Sequence, residues 1–206
     1  MINGMLQPGE QVSNQREDNF TAAQNMIGQI NVAGGQLICP NISVGSVALA
    51  SMGTNTSDIA GQFWITDIEV PYNRILKNIS MLSGGTATTD YWLWAIYDSF
   101  GYLLASSAVA GQLLATANSW QTQPIALTYA RGTTTSTPAT SVQLYGPQQY
   151  YIAVQGNGAT GGALQTIPAP YQMCTGILAG TFGTIPATIT VPTTFTAAKG
   201  PIIYLS

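Results

Sequence analysis

The sequence predicts an all-β protein: an antiparallel β-sandwich, in the jelly-roll arrangement that suits its strand number, with an extended N-terminal arm. Two observations carry this prediction. Short runs of β-branched, aromatic and aliphatic residues recur from residue 61 onward, separated by Gly, Pro, Ser and Thr turns, with no long helical periodicity among them. The run Tyr91-Trp-Leu-Trp-Ala-Ile-Tyr97 is apolar on both alternating faces. A strand of that kind belongs in the middle of a sheet covered on both sides.

Residues 1–60 read differently and are assigned to the arm. They hold Pro8-Gly9, the small charged cluster Arg16-Glu-Asp18 and short apolar pieces broken by Gly and Pro. Phe20–Ile27 has the composition of one short helix. The segment is too thin in apolar residues to build its own core, so Met26, Ile27, Ile30, Leu37 and Ile38 are expected to bury themselves against a partner surface.

Residues 61–206 are assigned to the sandwich. Gln62–Val70 alternates, with Trp64, Ile68 and Val70 on one face and Asp67 and Glu69 on the other, and Pro71 stops it. Arg74–Leu82 reads as the next strand and Ser83-Gly-Gly85 as its turn. In the hairpin from Tyr91 to Ala105, Trp92, Trp94 and Ile96 face one way and Leu93, Ala95 and Tyr97 the other. Asp98 should accept backbone hydrogen bonds in its turn, and Gly101 should supply the positive φ that closes it. Gly111–Ala115 and Trp120–Leu127 follow as strands, then Arg131–Ser141 as an exposed Thr/Ser-rich loop. Gly146-Pro147 launches Tyr150–Gln155, and Gly156–Gly162 is a loop. Gly176–Phe182, Ala187–Val191 and Pro201–Leu205 complete roughly eight to ten strands, a number that fits a sandwich.

Composition excludes several functions. Charged residues make up 6 % of the chain and hydrophobic ones 46 %, so the polar surface rests on Thr, Ser, Asn and Gln. A net charge of −3 with 5 Lys+Arg argues against nucleic acid as a partner, where neutralising phosphates dominates affinity. Apolar runs stop short of the ~18 residues of a membrane span. The chain has 0 His, which removes Ser-His-Asp triads, Cys-His dyads and His-ligated zinc. Met1-Ile-Asn-Gly4 lacks the features of a secretory signal, so Cys39 and Cys174 are expected as buried free thiols, with one disulfide between them as the alternative. No glycine loop carries a phosphate-binding lysine, and Asp58, Asp90 and Asp98 lack calcium-loop spacing. No cofactor is therefore expected.

Two segments resemble a known family. Trp94-Ala-Ile-Tyr-Asp-Ser-Phe-Gly-Tyr-Leu-Leu-Ala-Ser106 resembles the hairpin of phage virion jelly-roll proteins, and Gly146-Pro-Gln-Gln-Tyr-Tyr-Ile-Ala-Val154 is similar to their Gly-Pro-initiated strand. Gln148 departs from the pattern, standing where a Gly is usual. The resemblance spans about residues 60–180 and implies a non-enzymatic virion component. A capsid decoration (cement) protein is the favoured form, with a head fibre or a receptor- or glycan-binding tail module as the alternative. It further implies a location on the capsid surface, a major capsid protein as partner and assembly as a homo-oligomer, a trimer by preference.

Two possible sites are weighed against this. Asp67 and Glu69 lie roughly 6.5–7 Å apart by strand rise, the spacing of an inverting glycosidase pair; the simpler reading is a solvent face balanced by Arg74 and Lys77. Trp64, Trp92, Trp94, Trp120, Tyr91, Tyr97 and Tyr102 have the makings of a sugar-stacking platform, but aromatics on strands more often pack in cores.

Overall fold

The computed structural model describes residues 31–32, 35–37, 53–57, 60–86, 89–113, 115–158, 161–167 and 174–206. Within these residues the chain is all-β, with no helix. The strands are β1 (Asn31–Val32), β2 (Gly35–Leu37), β3 (Thr54–Ser57), β4 (Gln62–Val70), β5 (Arg74–Leu76), β6 (Asn78–Leu82), β7 (Tyr91–Tyr97), β8 (Leu103–Ser106) and β9 (Gln112–Leu113). They continue with β10 (Trp120–Pro124), β11 (Leu127–Tyr129), β12 (Ser136–Pro138), β13 (Val142–Leu144), β14 (Gln148–Gly156), β15 (Ala163–Thr166), β16 (Thr175–Ala179) and β17 (Ile203–Leu205). Of the features expected near the N-terminus, Met26, Ile27, Ile30, Ile38, Cys39 and the helix at 20–27 lie outside the described residues.

Two sheets form the sandwich. The larger runs β12-β11-β8-β7-β14-β4-β16, with β9 pairing onto β7; the smaller runs β1-β2-β17-β6-β10. Two further two-stranded sheets are β13-β5 and β15-β3. Every pairing between strands is antiparallel.

The alternation read from the sequence sets the layers. Trp64, Ile68, Trp92, Trp94, Ile96 and Ile152 of the larger sheet pack with Ile79, Met81, Ile203 and Leu205 of the smaller one. Trp64 and Trp92 meet edge to face, with ring centroids 6.1 Å apart. An aromatic ring of this kind removes on the order of 200 Å² from water, worth about 5 kcal/mol of transfer free energy as an upper estimate. The opposite face, with Phe63, Ile65, Leu93, Ala95, Tyr97 and Ala153, is covered by Ile185 and Ile189 from a segment that follows β16. The central strands β7, β14 and β4 are therefore sandwiched on both sides, as the doubly apolar run requires.

The hairpin turn is built as expected. Asp98 Oδ1 accepts from the amides of Phe100 and Tyr102, each at 2.9 Å, and Gly101 has φ +81. A β-bulge between Ile96 and Tyr97 shifts the register, so the returning strand begins at Leu103.

Several elements differ from the expectation, each for a local reason. Arg74–Leu82 is two strands in two sheets, because the chain crosses at Lys77. The amides of Lys77 and Asn78 both donate to the Ser206 carbonyl at 2.8 Å. Trp120–Leu127 divides in the same way at Ile125 and Ala126, whose amides donate to Lys77 and Ser106. These are the corners at which the chain passes between layers. Arg131–Ser141 is not wholly loop: β12 pairs with β11 as the outermost strand of the larger sheet. Pro138 is tolerated there because an edge strand needs no outward amide. Ala187–Val191 alternates like a strand but makes only the bridge Thr188↔Tyr102 among the described residues, and it serves as cover for the sheet. Within residues 1–60, β2 pairs with β17 and β3 with β15, so these pieces are backbone-bonded to the sandwich.

Candidate functional site

Leu37 is the one proposed arm contact among the described residues, and its backbone pairs with Tyr204 in β17. The acidic pair sits on the β4 face that also carries Phe63 and Ile65. Asp67 Oδ2 accepts from Gln149 Nε2 at 2.8 Å, and its amide donates to the Cys174 carbonyl at 3.0 Å. Partial burial pushes the Asp67 carboxyl above the ordinary 3.8, against the lowering effect of its hydrogen bonds. Glu69 is exposed to solvent. Cys174 is a free, half-buried thiol whose pKa is raised by burial and then by Asp67. Asp90 and Asp98 both serve the backbone: Asp90 Oδ2 accepts from Gly162 N at 2.5 Å, and Asp98 holds the hairpin turn.

The seven aromatics proposed as a sugar platform do not assemble into one. Trp64, Trp92, Trp94 and Tyr97 are fully buried. Trp120 is half-buried and stands edge-on to Tyr204, with centroids 4.9 Å apart. Tyr102 lies under Arg131, whose guanidinium carbon is 4.2 Å from its ring centre. Tyr91 is exposed beside Leu113, its partner across the β7–β9 pair.

The most exposed rings are others. Phe100 is 72 % exposed, Tyr145 62 % and Tyr72 56 %. They occupy three turns: the β7–β8 turn, the turn before β14 and the turn after β4. Those turns are joined at one end of the sandwich. Val70 at the end of β4 pairs with Gln148 at the start of β14, and Gln148 Nε2 donates to Ser99 Oγ in the hairpin turn at 3.2 Å. Gly146 N donates to Asn73 Oδ1 at 3.0 Å. A Cβ at Gly146 would lie 2.4 Å from Tyr72 N and 2.5 Å from Val70 O, so only glycine lets the Tyr145 turn rest on the Tyr72 turn.

Tyr150 anchors the middle of this end. Its hydroxyl accepts from Tyr145 N at 2.8 Å and donates to Tyr145 O at 2.9 Å. Burial raises the Tyr150 pKa, against the hydrogen bond to Tyr145, so the phenol stays protonated and able to donate. Charge here is balanced internally. Arg131 Nε donates to Asp98 Oδ2 at 3.3 Å, with its guanidinium also 5.5 Å from the Phe100 ring centre. Arg74 Nη2 donates to the Leu205 carbonyl at 3.0 Å, and burial lowers its pKa. The end of the sandwich thus presents aromatic rings set among amide and hydroxyl groups, with its two arginines engaged and Glu69 as the exposed acid next to it.

The glycan-binding alternative implies an exposed aromatic cluster in loops at one end of the sandwich, but the rings that the sequence singles out lie on strands and in the hairpin and do not include these three. The signal was present in position. Tyr72 follows Pro71, Tyr145 precedes Gly146-Pro147, and Phe100 sits inside Asp98–Gly101. An aromatic residue in a tight turn has no sheet face to pack on.

No protein-family model matches the chain, and no curated protein shows significant similarity to it.

Proposed function

We propose that this chain is a non-enzymatic virion structural protein that decorates and stabilises a capsid, with a major capsid protein as its partner and the capsid surface as its location. The observation that carries the reading is the attachment of β2 to β17 by strand addition at the margin of the smaller sheet. Backbone pairing of this kind supplies affinity without side-chain chemistry, and the edge of a neighbouring subunit accepts it as readily as the chain's own. The rest of residues 1–60, with Met26, Ile27, Ile30 and Ile38, supplies the apolar contacts across subunit boundaries. A jelly-roll arrangement of the sandwich and a trimeric assembly belong to this proposal. The charge-poor surface supports it as well, because packing in an assembly relieves the need for charge repulsion.

The non-catalytic part of the reading rests on chemistry. A chain with 0 His has lost its commonest general base. Asp67 is half-buried and held by Gln149 while Glu69 faces solvent, so the two carboxyls are not presented together to a substrate.

The test is antibody-gold labelling of intact particles from the biological source, viewed by electron microscopy, followed by capsid binding of a chain lacking residues 1–40. Regular label over the head, with binding lost on truncation, is expected. Label confined to a tail tip, or full occupancy by the truncated chain, would refute the decoration reading.

A further inference from the structure

We infer that the end of the sandwich bearing Tyr72, Phe100 and Tyr145 is a binding site for neutral carbohydrate. The inference stands apart from the decoration reading, since a site at this end needs neither the arm nor the smaller sheet.

Size is the first argument. With the exposures given above, the three rings present roughly 300–500 Å² of aromatic surface between them, taking about 150–250 Å² for each whole side chain. A patch of that size is at the level where exposed surface on a monomer is commonly functional. An area of that order matches one or two sugar rings.

The chemistry of the rim is the second argument. A pyranose has a face of C–H groups that packs on an aromatic ring and an equator of hydroxyls that both donate and accept. The rim supplies matching groups. Asn73 uses Oδ1 for Gly146 N, which leaves its NH₂ as a donor. Gln148 uses Nε2 for Ser99, which leaves its carbonyl oxygen as an acceptor. The Tyr72 and Tyr145 hydroxyls have no hydrogen-bond partner among the described residues.

Charge is the third. Arg131 is paired with Asp98 and Arg74 is committed to Leu205 O. Among the described residues no cluster of free cations lies at this end to draw a sulfated or carboxylated ligand, so a neutral one matches it better. The turns are also held in place before binding, by Tyr150, Asn73, Gln148 and Asp98. Little ordering remains to oppose a small ligand.

The experiment is saturation-transfer NMR on the full chain, with maltose, cellobiose, lactose and N,N′-diacetylchitobiose as millimolar probes and sialyllactose as the acidic comparison. At least one neutral disaccharide is expected to receive saturation, most strongly at C–H protons of one ring face. Tyr72→Ala combined with Tyr145→Ala should weaken that probe by about tenfold or more. The Phe replacements keep the ring and should stay within about threefold. The double variant leaves the Tyr145 backbone contacts to Tyr150 intact, and an unchanged thermal transition would show that it folds. Three results would each overturn the inference: no transfer to any neutral probe, undiminished transfer to the folded double variant, or binding of sialyllactose alone. A wild-type chain that self-associates in sedimentation, with a monomeric double variant, would assign the patch to a second copy of the chain and overturn it too.

Discussion

Asp98 offers the sharpest test of how the central hairpin is held. The buried carboxylate makes two separable contributions. Oδ1 accepts from the Phe100 and Tyr102 amides, and Oδ2 pairs with Arg131. Asp98→Asn keeps an acceptor for the amides and removes the charge. Because the Arg131 side chain is largely exposed, the ion pair is worth no more than about 1 kcal/mol. Asp98→Ala deprives two part-buried amides of a charged acceptor, and the loss should be roughly 2–4 kcal/mol. At this chain length about 1 kcal/mol moves Tm by roughly 2–4 °C. The Asn variant should therefore melt within about 4 °C of wild type, and the Ala variant roughly 5–15 °C below it. Calorimetry on both, with Arg131→Ala and the Asn/Ala double variant, closes a double-mutant cycle for the charge component. If Asn falls as far as Ala, charge rather than acceptor geometry holds the turn, and the reasoning fails. An Ala variant that melts with wild type would show that the turn does not depend on Asp98 at all.

Further outcomes are expected elsewhere. At Gly101, with φ +81, an added Cβ would lie 2.3 Å from the Ile189 carbonyl, so Gly101→Ala should cost about 2 kcal/mol or more in urea unfolding; a loss below about 0.5 kcal/mol would contradict the close approach. Tyr150→Phe removes both bonds to the Tyr145 backbone and should cost about 1–3 kcal/mol, with faster amide exchange at Tyr145 as its local signature. Asp67 carries a pH prediction. Its folded pKa lies above the ordinary 3.8 because burial disfavours the charge, so from 3.8 upward the folded state holds more protons than the unfolded state. Stability from this group therefore falls as pH rises through that window, and Asp67→Asn should flatten the fall. At neutral pH the variant should melt no lower than wild type, and a lower Tm would mean that the carboxylate is a net stabiliser.

What was legible in the sequence was whatever a period of two can encode. Gln62–Val70 was read with its bounds and its faces because polar Asp67 and Glu69 alternate with buried Ile68 and Val70. The hairpin was read because Asp98 and Gly101 are there for backbone reasons that hold in any context. The corners were not legible. Nothing in Ile75-Leu-Lys-Asn-Ile79 marks Lys77 as the point of crossing, since the cause is the Ser206 carbonyl, far away in the chain. Ala187–Val191 misled for the opposite reason. Its alternation is that of a strand, yet burial of Ile189 against the larger sheet satisfies it without a ladder. An end bearing loop aromatics is what the glycan-binding alternative implies, but Tyr72, Phe100 and Tyr145 are not legible individually, since local sequence does not tell an exposed ring from a packed one.

The position of β17 has a consequence for how the protein is made. It lies between β2 and β6 in the smaller sheet, although it is the latest of that sheet's strands in the sequence. Until residues 203–205 have been synthesised, β6 has one unpaired edge and β2 has nothing to join it to the rest of the sheet. The larger sheet, by contrast, can be assembled from strands already available by Ala179. A nascent chain thus passes through a stage with half of its sandwich roofed and a slot open beside Ile79 and Met81. Such a slot is filled by contacts distant in sequence, which close slowly. In the meantime it accepts the same strand from another chain, and crowded synthesis of many copies would favour that exchange.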